Sequence, residues 1–183
     1  MKVIVRLLVV IACIFCVCFD GCEAKTYVNK QRGYSIWIPD YFVERDNFGI
    51  YDFSADGGDD FGAEKYLNGG EGIEVTIFTR ACDIEEADET YVEKRISELV
   101  KIDQLWFPNR MNKVNPWVAK PYHLGTMSYS LSNDGYISLG IEIIAHSKKI
   151  SVSVSGNAHS QETLNKIVNT ALDIFESFVC LKH

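Results

Sequence analysis

Four histidines are the residues of this 183-residue chain best suited by type to hold a metal ion. They are His123, His146, His159 and His183, and no two of them stand at the HxH or HExxH spacing that brings two imidazoles to one ion. The spacing therefore predicts no zinc site, and we assign neither a metal ligand nor a cofactor from the sequence.

An acidic segment resembles the first half of a calcium-binding loop. Asp52, Ser54 and Asp56 alternate and Gly57 follows, as the oxygen ligands and the sharp bend of such a loop require. The twelfth position holds Ala63 where a bidentate carboxylate is expected. We favour an acidic surface turn, with calcium binding as the alternative.

Serines and a histidine stand close together near residue 159, which are residue types used in nucleophilic catalysis. No G-x-S-x-G elbow surrounds Ser155 or Ser160, and the glycine pairs at residues 57–58 and 69–70 lack the lysine of a phosphate loop. The pattern favours a helix cap at Ser160 beside a surface histidine, and we assign no catalytic residue.

The segment of residues 104–122 has the composition of a binding surface. Large aromatic side chains and a planar cation dominate many interfaces, and this segment contains Trp106, Arg110, Trp117 and Tyr122. Three prolines and the lack of a clear period predict a long connection, with a short strand around residues 117–119. The alternative that we favour is that these aromatics fold inward as a lid over the sheet edge, because large aromatics are mostly buried.

The first 24 residues have the pattern of a cleaved signal peptide. Lys2 and Arg6 precede an uncharged apolar run over residues 7–19, which is shorter than the roughly 20 residues of a membrane span. A lipid anchor at Cys22 is disfavoured by Asp20 just upstream. We expect a secreted or periplasmic protein with no membrane span in its mature chain.

Four of the six cysteines lie in this leader, which leaves Cys82 and Cys180. Exported proteins with two cysteines commonly form one disulfide, so we predict a Cys82–Cys180 bond. Two unpaired buried thiols are the alternative, because free cysteine packs like a small apolar side chain.

Composition restricts the partners. Residues 25–183 have the composition of one globular domain, and the net charge is −7 with or without the leader. Negative charge repels phosphate backbones and anionic bilayers. We therefore expect no nucleic-acid partner and no attraction to an anionic membrane surface.

The elements that must position these residues are clearest in the last third of the chain. Alternation of apolar and polar residues predicts three antiparallel strands at residues 126–132, 136–145 and 150–155. Apolar residues at helical spacing follow up to Val179, with Ser160 as N-cap. This helix must cover the apolar face of the strands.

The upstream half shows the same kinds of signal. Strands are predicted at residues 34–38, 49–54 and 72–79, and an acidic run at residues 83–89 leads into an amphipathic helix. The prediction is an α+β domain in which an antiparallel sheet of about six strands packs against helices.

Asn29, Gly33-Tyr34-Ser35-Ile36 and Ile38-Pro39 resemble the opening motif of small exported PsbP-like and DcrB-like domains. The likeness covers roughly residues 27–179 and includes a Ser177-Phe178 pair at the end of the final helix. It implies an α/β/α sandwich, with helices on both faces of the sheet. It also implies an extracytoplasmic accessory or binding protein without catalytic activity.

We therefore expect an exported, non-enzymatic binding or accessory module of the cell envelope, whose partner is an envelope protein or a small ligand. A calcium- or small-ligand-dependent accessory domain is the alternative. A hydrolase of unrecognised type ranks last, because the sequence shows no combination of nucleophile, base and oxyanion site.

Overall fold

The computed structural model describes residues 25–30, 32–39, 42–44, 65–68, 73–106 and 109–181. The predicted leader with Cys22, the predicted strand at residues 49–54 and the calcium-like loop that begins at Asp52 lie outside these residues.

The described strands form two antiparallel sheets. In chain order they are β1 (Lys25–Asn29), β2 (Tyr34–Ile38), β3 (Val43–Glu44), β4 (Lys65–Asn68), β5 (Glu74–Ala81), β6 (Met111–Ala119), β7 (His123–Leu131), β8 (Tyr136–Ala145), β9 (Lys148–Asn157) and β10 (Val179–Cys180). The larger sheet has the order β3-β4-β5-β9-β8-β7-β6, and the smaller has the order β1-β2-β10. The sequence predicted one antiparallel sheet of about six strands, and the larger described sheet alone has seven.

Two helices are described, α1 (Glu89–Trp106) between β5 and β6, and α2 (Gln161–Glu176) after β9. Ser160 caps α2 as predicted, because its hydroxyl accepts a hydrogen bond from the backbone N–H of Thr163 at 3.1 Å. Ser177 ends the helix, and its hydroxyl accepts a bond from the N–H of Trp37 at 2.9 Å, which ties α2 to β2. In the described part of the chain, neither helix has the length and apolar sequence to cross a bilayer.

One face of the larger sheet forms the core with α2. Alternate residues of β8 and β9 point to this face and are buried, among them Ile137, Ile141 and Val152. The facing residues of α2 are Ile167, Ala171, Ile174 and Phe175, each at most 1 % exposed. Burial of such large apolar side chains stabilises the fold by roughly 1.5–3 kcal/mol each. The predicted cover of the sheet by the last helix is therefore confirmed.

The opposite face of the sheet packs against α1. Glu142 points away from Ile141 and Ile143, and its carboxylate accepts a hydrogen bond from Arg95 of α1 at 2.7 Å. Helices therefore cover both faces, and the predicted α/β/α arrangement is confirmed.

The long connection predicted over residues 104–122 is wrong, because residues 104–106 end α1 and residues 111–119 form strand β6, which contains the short strand predicted at residues 117–119. Its register with β7 runs from Met111 opposite Leu131 to Ala119 opposite His123. β6 is the edge strand of the sheet, where Pro116 is tolerated because one side of the strand has no neighbour to bond. Most side chains of β6 are exposed or half-buried, so the apolar alternation that marks a central strand is missing.

The predicted disulfide is not formed, since Cys82 and Cys180 are both free thiols. The cysteines belong to different parts of the fold: Cys82 follows β5 of the larger sheet, and Cys180 lies in β10 of the smaller sheet. The N–H of Cys82 bonds to the carbonyl of Ser147, whereas that of Cys180 bonds to the carbonyl of Lys120, each at 2.8 Å. Burial raises the pKa of the Cys180 thiol to about 12, so this group stays protonated.

Candidate functional site

Three loops meet at one end of the larger sheet: the segment of residues 82–88 after β5, the β6–β7 hairpin and the β8–β9 hairpin. Backbone contacts fix the first loop against the third, because Glu86 bridges to Ala145 and the N–H of Ser147 donates to the carbonyl of Glu85 at 3.0 Å. The side chain of Glu86 is thereby held beside the turn between β8 and β9.

The β8–β9 turn has an unusual backbone. His146 and Ser147 have φ values of 54° and 57°, which places both residues in the left-handed region. A two-residue hairpin turn requires this conformation, but residues other than glycine adopt it at a cost of roughly 1–2 kcal/mol each. Strain of this kind is found preferentially at functional sites. Here it places the backbone N–H of His146 at 3.2 Å from Oε1 of Glu86.

Glu86, His123 and His146 form a cluster of potential metal ligands, which we call the metal cluster. Nδ1 of His123 lies 2.7 Å from Oε2 of Glu86, and Nδ1 of His146 lies 3.5 Å from Oε1 of Glu86. The two imidazole rings meet edge to face, with centroids 5.4 Å apart and an interplanar angle of 70°. One ligand atom from each of the three residues lies within 4.8 Å of the other two.

The distances from Glu86 to the two histidines suit a small transition-metal ion. Zinc binds imidazole nitrogen at about 2.0–2.1 Å and carboxylate oxygen at about 2.0–2.2 Å, so two tetrahedral donors lie about 3.4 Å apart. The separation of Glu86 from His146 is already 3.5 Å. The separation of Glu86 from His123 is 2.7 Å and would widen by less than 1 Å, which a small side-chain rotation supplies.

The metal cluster is open to solvent on one side. The side chain of Glu86 is 43 % exposed and that of His146 is 33 % exposed, whereas that of His123 is 14 % exposed. An ion held here by three protein ligands would keep at least one coordination position for water or an external ligand.

The structure separates Arg110 from Tyr122, which are two of the four predicted binding residues. Arg110 precedes β6, and its guanidinium carbon lies 6.0 Å from the ring centroid of Tyr136. Tyr122 follows the other end of β6 and is 92 % exposed. A strand of this length spans about 27 Å, which separates these two residues too far for one small ligand.

Trp117 differs from the exposed Tyr122. Trp117 is half-buried, packs against the core and stands opposite Gly125 in the register of β6 and β7. It therefore follows the inward-folded alternative. Trp106 is the last residue of α1, and its side chain lies outside the described part of the structure. Of the four, Tyr122 is next in sequence to the metal cluster, because it precedes His123.

Short spacings between histidines do not reveal the metal cluster, because its two histidines are 23 residues apart in the sequence. The β7–β8 hairpin pairs Leu131 with Ile137, so its turn is centred on Asp134. His123 lies 11 residues before that centre and His146 lies 12 residues after it. Their nearly equal distance from a predicted hairpin turn is the signal that would have placed both histidines at the same end of the sheet.

No protein-family model and no curated protein matches this chain. Among solved structures, the chain is similar to the cyanobacterial PsbP of Synechocystis sp. PCC 6803, with a TM-score of 0.57 and 11 % identity over 88 % of this chain and 95 % of that one. It is also similar to a protein of Bacteroides thetaiotaomicron VPI-5482, with a TM-score of 0.50 and 10 % identity. That match covers 88 % of this chain and 50 % of the Bacteroides protein. Identities this low show the fold alone, and the chain has a PsbP-like fold.

Proposed function

We propose that the protein is an exported, non-enzymatic binding module of the cell envelope whose ligand is a divalent transition-metal ion held by Glu86, His123 and His146. The observation that carries the proposal is the convergence of two imidazoles and one carboxylate, with ligand atoms within 4.8 Å of one another. Export is supported by the leader pattern of residues 1–24.

The donor set favours zinc, copper or nickel over calcium or magnesium. Imidazole nitrogen suits the first group, whereas calcium takes six to eight oxygen ligands and magnesium keeps several waters. The metal cluster offers two nitrogens and one carboxylate. Among the described residues, this cluster therefore supports a metal-dependent accessory role better than a calcium-dependent one.

A binding role fits the cluster better than a hydrolytic one. Hydrolytic zinc sites place a general base beside the metal-bound water. The single carboxylate of the metal cluster is Glu86, which already contacts both imidazoles and would itself bind the ion. The exposed side of the cluster suits exchange of the ion with solvent or with a partner.

Isothermal titration of the purified protein with Zn²⁺ tests the metal site. We expect one ion per chain, and a loss of affinity of at least about 10-fold in His123→Ala, His146→Ala and Glu86→Gln, because even supporting residues of metal sites have effects of this size. His159→Ala is the matched control, since His159 is an exposed histidine just before α2 and outside the cluster. Equal affinity in His159→Ala and His123→Ala would refute the assignment.

Thermal unfolding gives an independent measurement. At a free Zn²⁺ concentration of 100 times Kd, binding to the folded state alone stabilises it by about 2.7 kcal/mol, or roughly 5–11 °C for a domain of this size. Calcium at the same concentration should give no shift. Export is tested separately, by sequencing the N-terminus of the protein recovered from the extracellular or periplasmic fraction.

A further inference from the structure

An apolar groove lies between α2 and the edge strands β6 and β7, far along β7 from the metal cluster. Its volume is about 320 Å³. The apolar residues that line it are Met111, Met127, Tyr129, Leu139, Val168 and Leu172. Two methionines among these side chains allow the walls to adapt to the shape of a ligand.

The groove exists because α2 covers only part of its face of the sheet. The helix packs mainly on β8, β9 and β2. Among the described elements, the same face of β6 and β7 is left without a helix, and the alternation of β6 places Met111 and Lys113 on that face. The groove is therefore bounded by the side of α2 and by the edge of the sheet.

Among the described residues that line the groove, one is charged. Lys113 is exposed and lines the cavity. It forms no ion pair with any residue in the described part of the chain. The net charge of −7 repels anions at long range, but salt screens distant charges beyond about 8 Å under physiological conditions. A carboxylate that enters the groove is therefore influenced mainly by the ammonium of Lys113.

We propose that this groove binds a fatty carboxylate of about ten carbons, with its chain along Met127, Leu139 and Leu172 and its head group at Lys113. The length follows from the volume of 320 Å³, since a group of the size of one water occupies about 30 Å³. The predominantly apolar lining offers few hydrogen-bonding partners, which disfavours a sugar or a nucleotide. The proposal is independent of the metal site.

Titration calorimetry with a homologous series tests the chain length. From hexanoate to decanoate, we expect Kd to fall by about fourfold for each added methylene, because each one removes apolar surface from water. The gain should stop near ten carbons, when the groove is full. Decyltrimethylammonium has the same chain with a positive head group, and we expect it to bind more weakly than decanoate.

Substitutions at Leu172 and Lys113 test whether decanoate binds in the groove. Leu172→Glu introduces a carboxylate into the groove at a residue that is 36 % exposed, so the fold tolerates it. We expect it to weaken decanoate binding by more than 10-fold. Asn169→Glu adds the same charge to an exposed position of α2 outside the groove and should leave Kd unchanged. The wild-type protein should bind decanoate more tightly than decanol, and Lys113→Met should remove this preference.

Each contrary result overturns the proposal. No saturable decanoate binding to the wild-type protein refutes it directly, as do equal affinities for Leu172→Glu and Asn169→Glu. Equal or tighter binding of decyltrimethylammonium shows that Lys113 does not select the head group. Concentration-dependent dimerisation that Leu172→Glu abolishes and that decanoate does not disrupt would assign the groove to a second copy of the chain.

Discussion

Replacement of Glu142 by glutamine tests whether the charges beneath α1 stabilise the sheet. Oε1 of Glu142 accepts a hydrogen bond from Nε of Arg95 at 2.7 Å, and Oε2 accepts one from Nη2 of the same guanidinium at 3.0 Å. Nζ of Lys149 lies 2.6 Å from Oε2. The side chains of Glu142, Arg95 and Lys149 are 15 %, 20 % and 8 % exposed. Among the described residues, Glu142→Gln would leave Lys149 without a counter-charge and would leave Arg95 with only the exposed carboxylate of Glu98.

The expected loss is large for a single substitution. Removal of one partner from a buried ion pair costs about 3–5 kcal/mol. We take about 3 kcal/mol, because Arg95 is partly hydrated at 20 % exposure. For a domain of this size, that corresponds to a melting temperature lower by roughly 6–12 °C. The free energy of unfolding of natural domains is about 5–15 kcal/mol, so the variant should fold but be visibly weakened.

The effect should also depend on pH. Burial alone would raise the pKa of Glu142, but the hydrogen bond from Arg95 and the charge of Lys149 outweigh it and hold that pKa below its usual value of 4.5. A lowered carboxyl pKa gives stability that is fully present above about pH 4.5 and is lost as the pH falls through the folded-state value. The difference between wild type and Glu142→Gln should therefore shrink as the solution is acidified below pH 4.5.

The pKa of Lys149 is lowered as well, because burial lowers it by more than the attraction of Glu142 raises it. The ammonium is thus destabilised while the carboxylate is stabilised. The pH dependence of the stability difference should follow the carboxylate of Glu142, because this group contacts two cations, whereas Lys149 has Arg95 as a like-charged neighbour.

Urea denaturation followed by circular dichroism at pH 7 and at several lower pH values measures the effect. Glu98→Gln is the matched control, because Glu98 also contacts Arg95, at 3.3 Å, but is 44 % exposed. Exposed ion pairs contribute about 1 kcal/mol or less. If Glu142→Gln destabilised the protein no more than Glu98→Gln, the reasoning about burial would be refuted.

Three further predictions concern the cap, the sheet and the thiols. Ser160→Ala should lower the free energy of unfolding by about 1 kcal/mol, and Ser160→Asp should retain most of it, because aspartate also caps helices. Gly125→Ala should cost about 1–3 kcal/mol in urea denaturation, because a Cβ there would overlap a backbone carbonyl of β8, whereas Gly140→Ala would meet a movable serine hydroxyl at 3.2 Å and should cost less. Equal losses would contradict this account. A thiol reagent should modify half-buried Cys82 in the native protein and buried Cys180 only after unfolding. In protein without residues 1–24, which removes the other four cysteines, a fast phase of modification that persists in Cys82→Ser would show that Cys180 is accessible.

The part of the fold that could be predicted from sequence is the part with strong apolar periodicity. β8 matches its predicted limits of residues 136–145, because nearly every second side chain enters the core. Only residues 117–119 of β6 were predicted as strand, because an edge strand buries little and the rest of its sequence resembles that of a loop. The two-residue strands β3 and β10 are too short to show a period. Periodicity reports burial, so it fails where strands are exposed or short.

The candidate site could be predicted less well than the fold. Arg110, Trp117 and Tyr122 are close in sequence, but an extended strand separates its ends. Arg110 and Tyr122 lie beyond opposite ends of β6, and Trp117 lies within it. Glu86 gave no signal of its own, since it is one of several acidic residues in its segment. Its role depends on a bridge to Ala145, a contact between residues far apart in the chain.

Stability and ligand binding are separable in this molecule because different residues carry them. The core consists of apolar residues such as Ile141, Ile167 and Phe175, each at most 2 % exposed. The metal cluster lies on hairpin ends and a loop, where side chains can change without a cavity in the core. His146→Ala should therefore abolish Zn²⁺-dependent stabilisation while the metal-free protein melts nearly as wild type does, whereas Phe175→Ala should lower the melting temperature with and without the metal. The PsbP-like fold is thus a scaffold, and the function of this chain depends on which side chains its loops present.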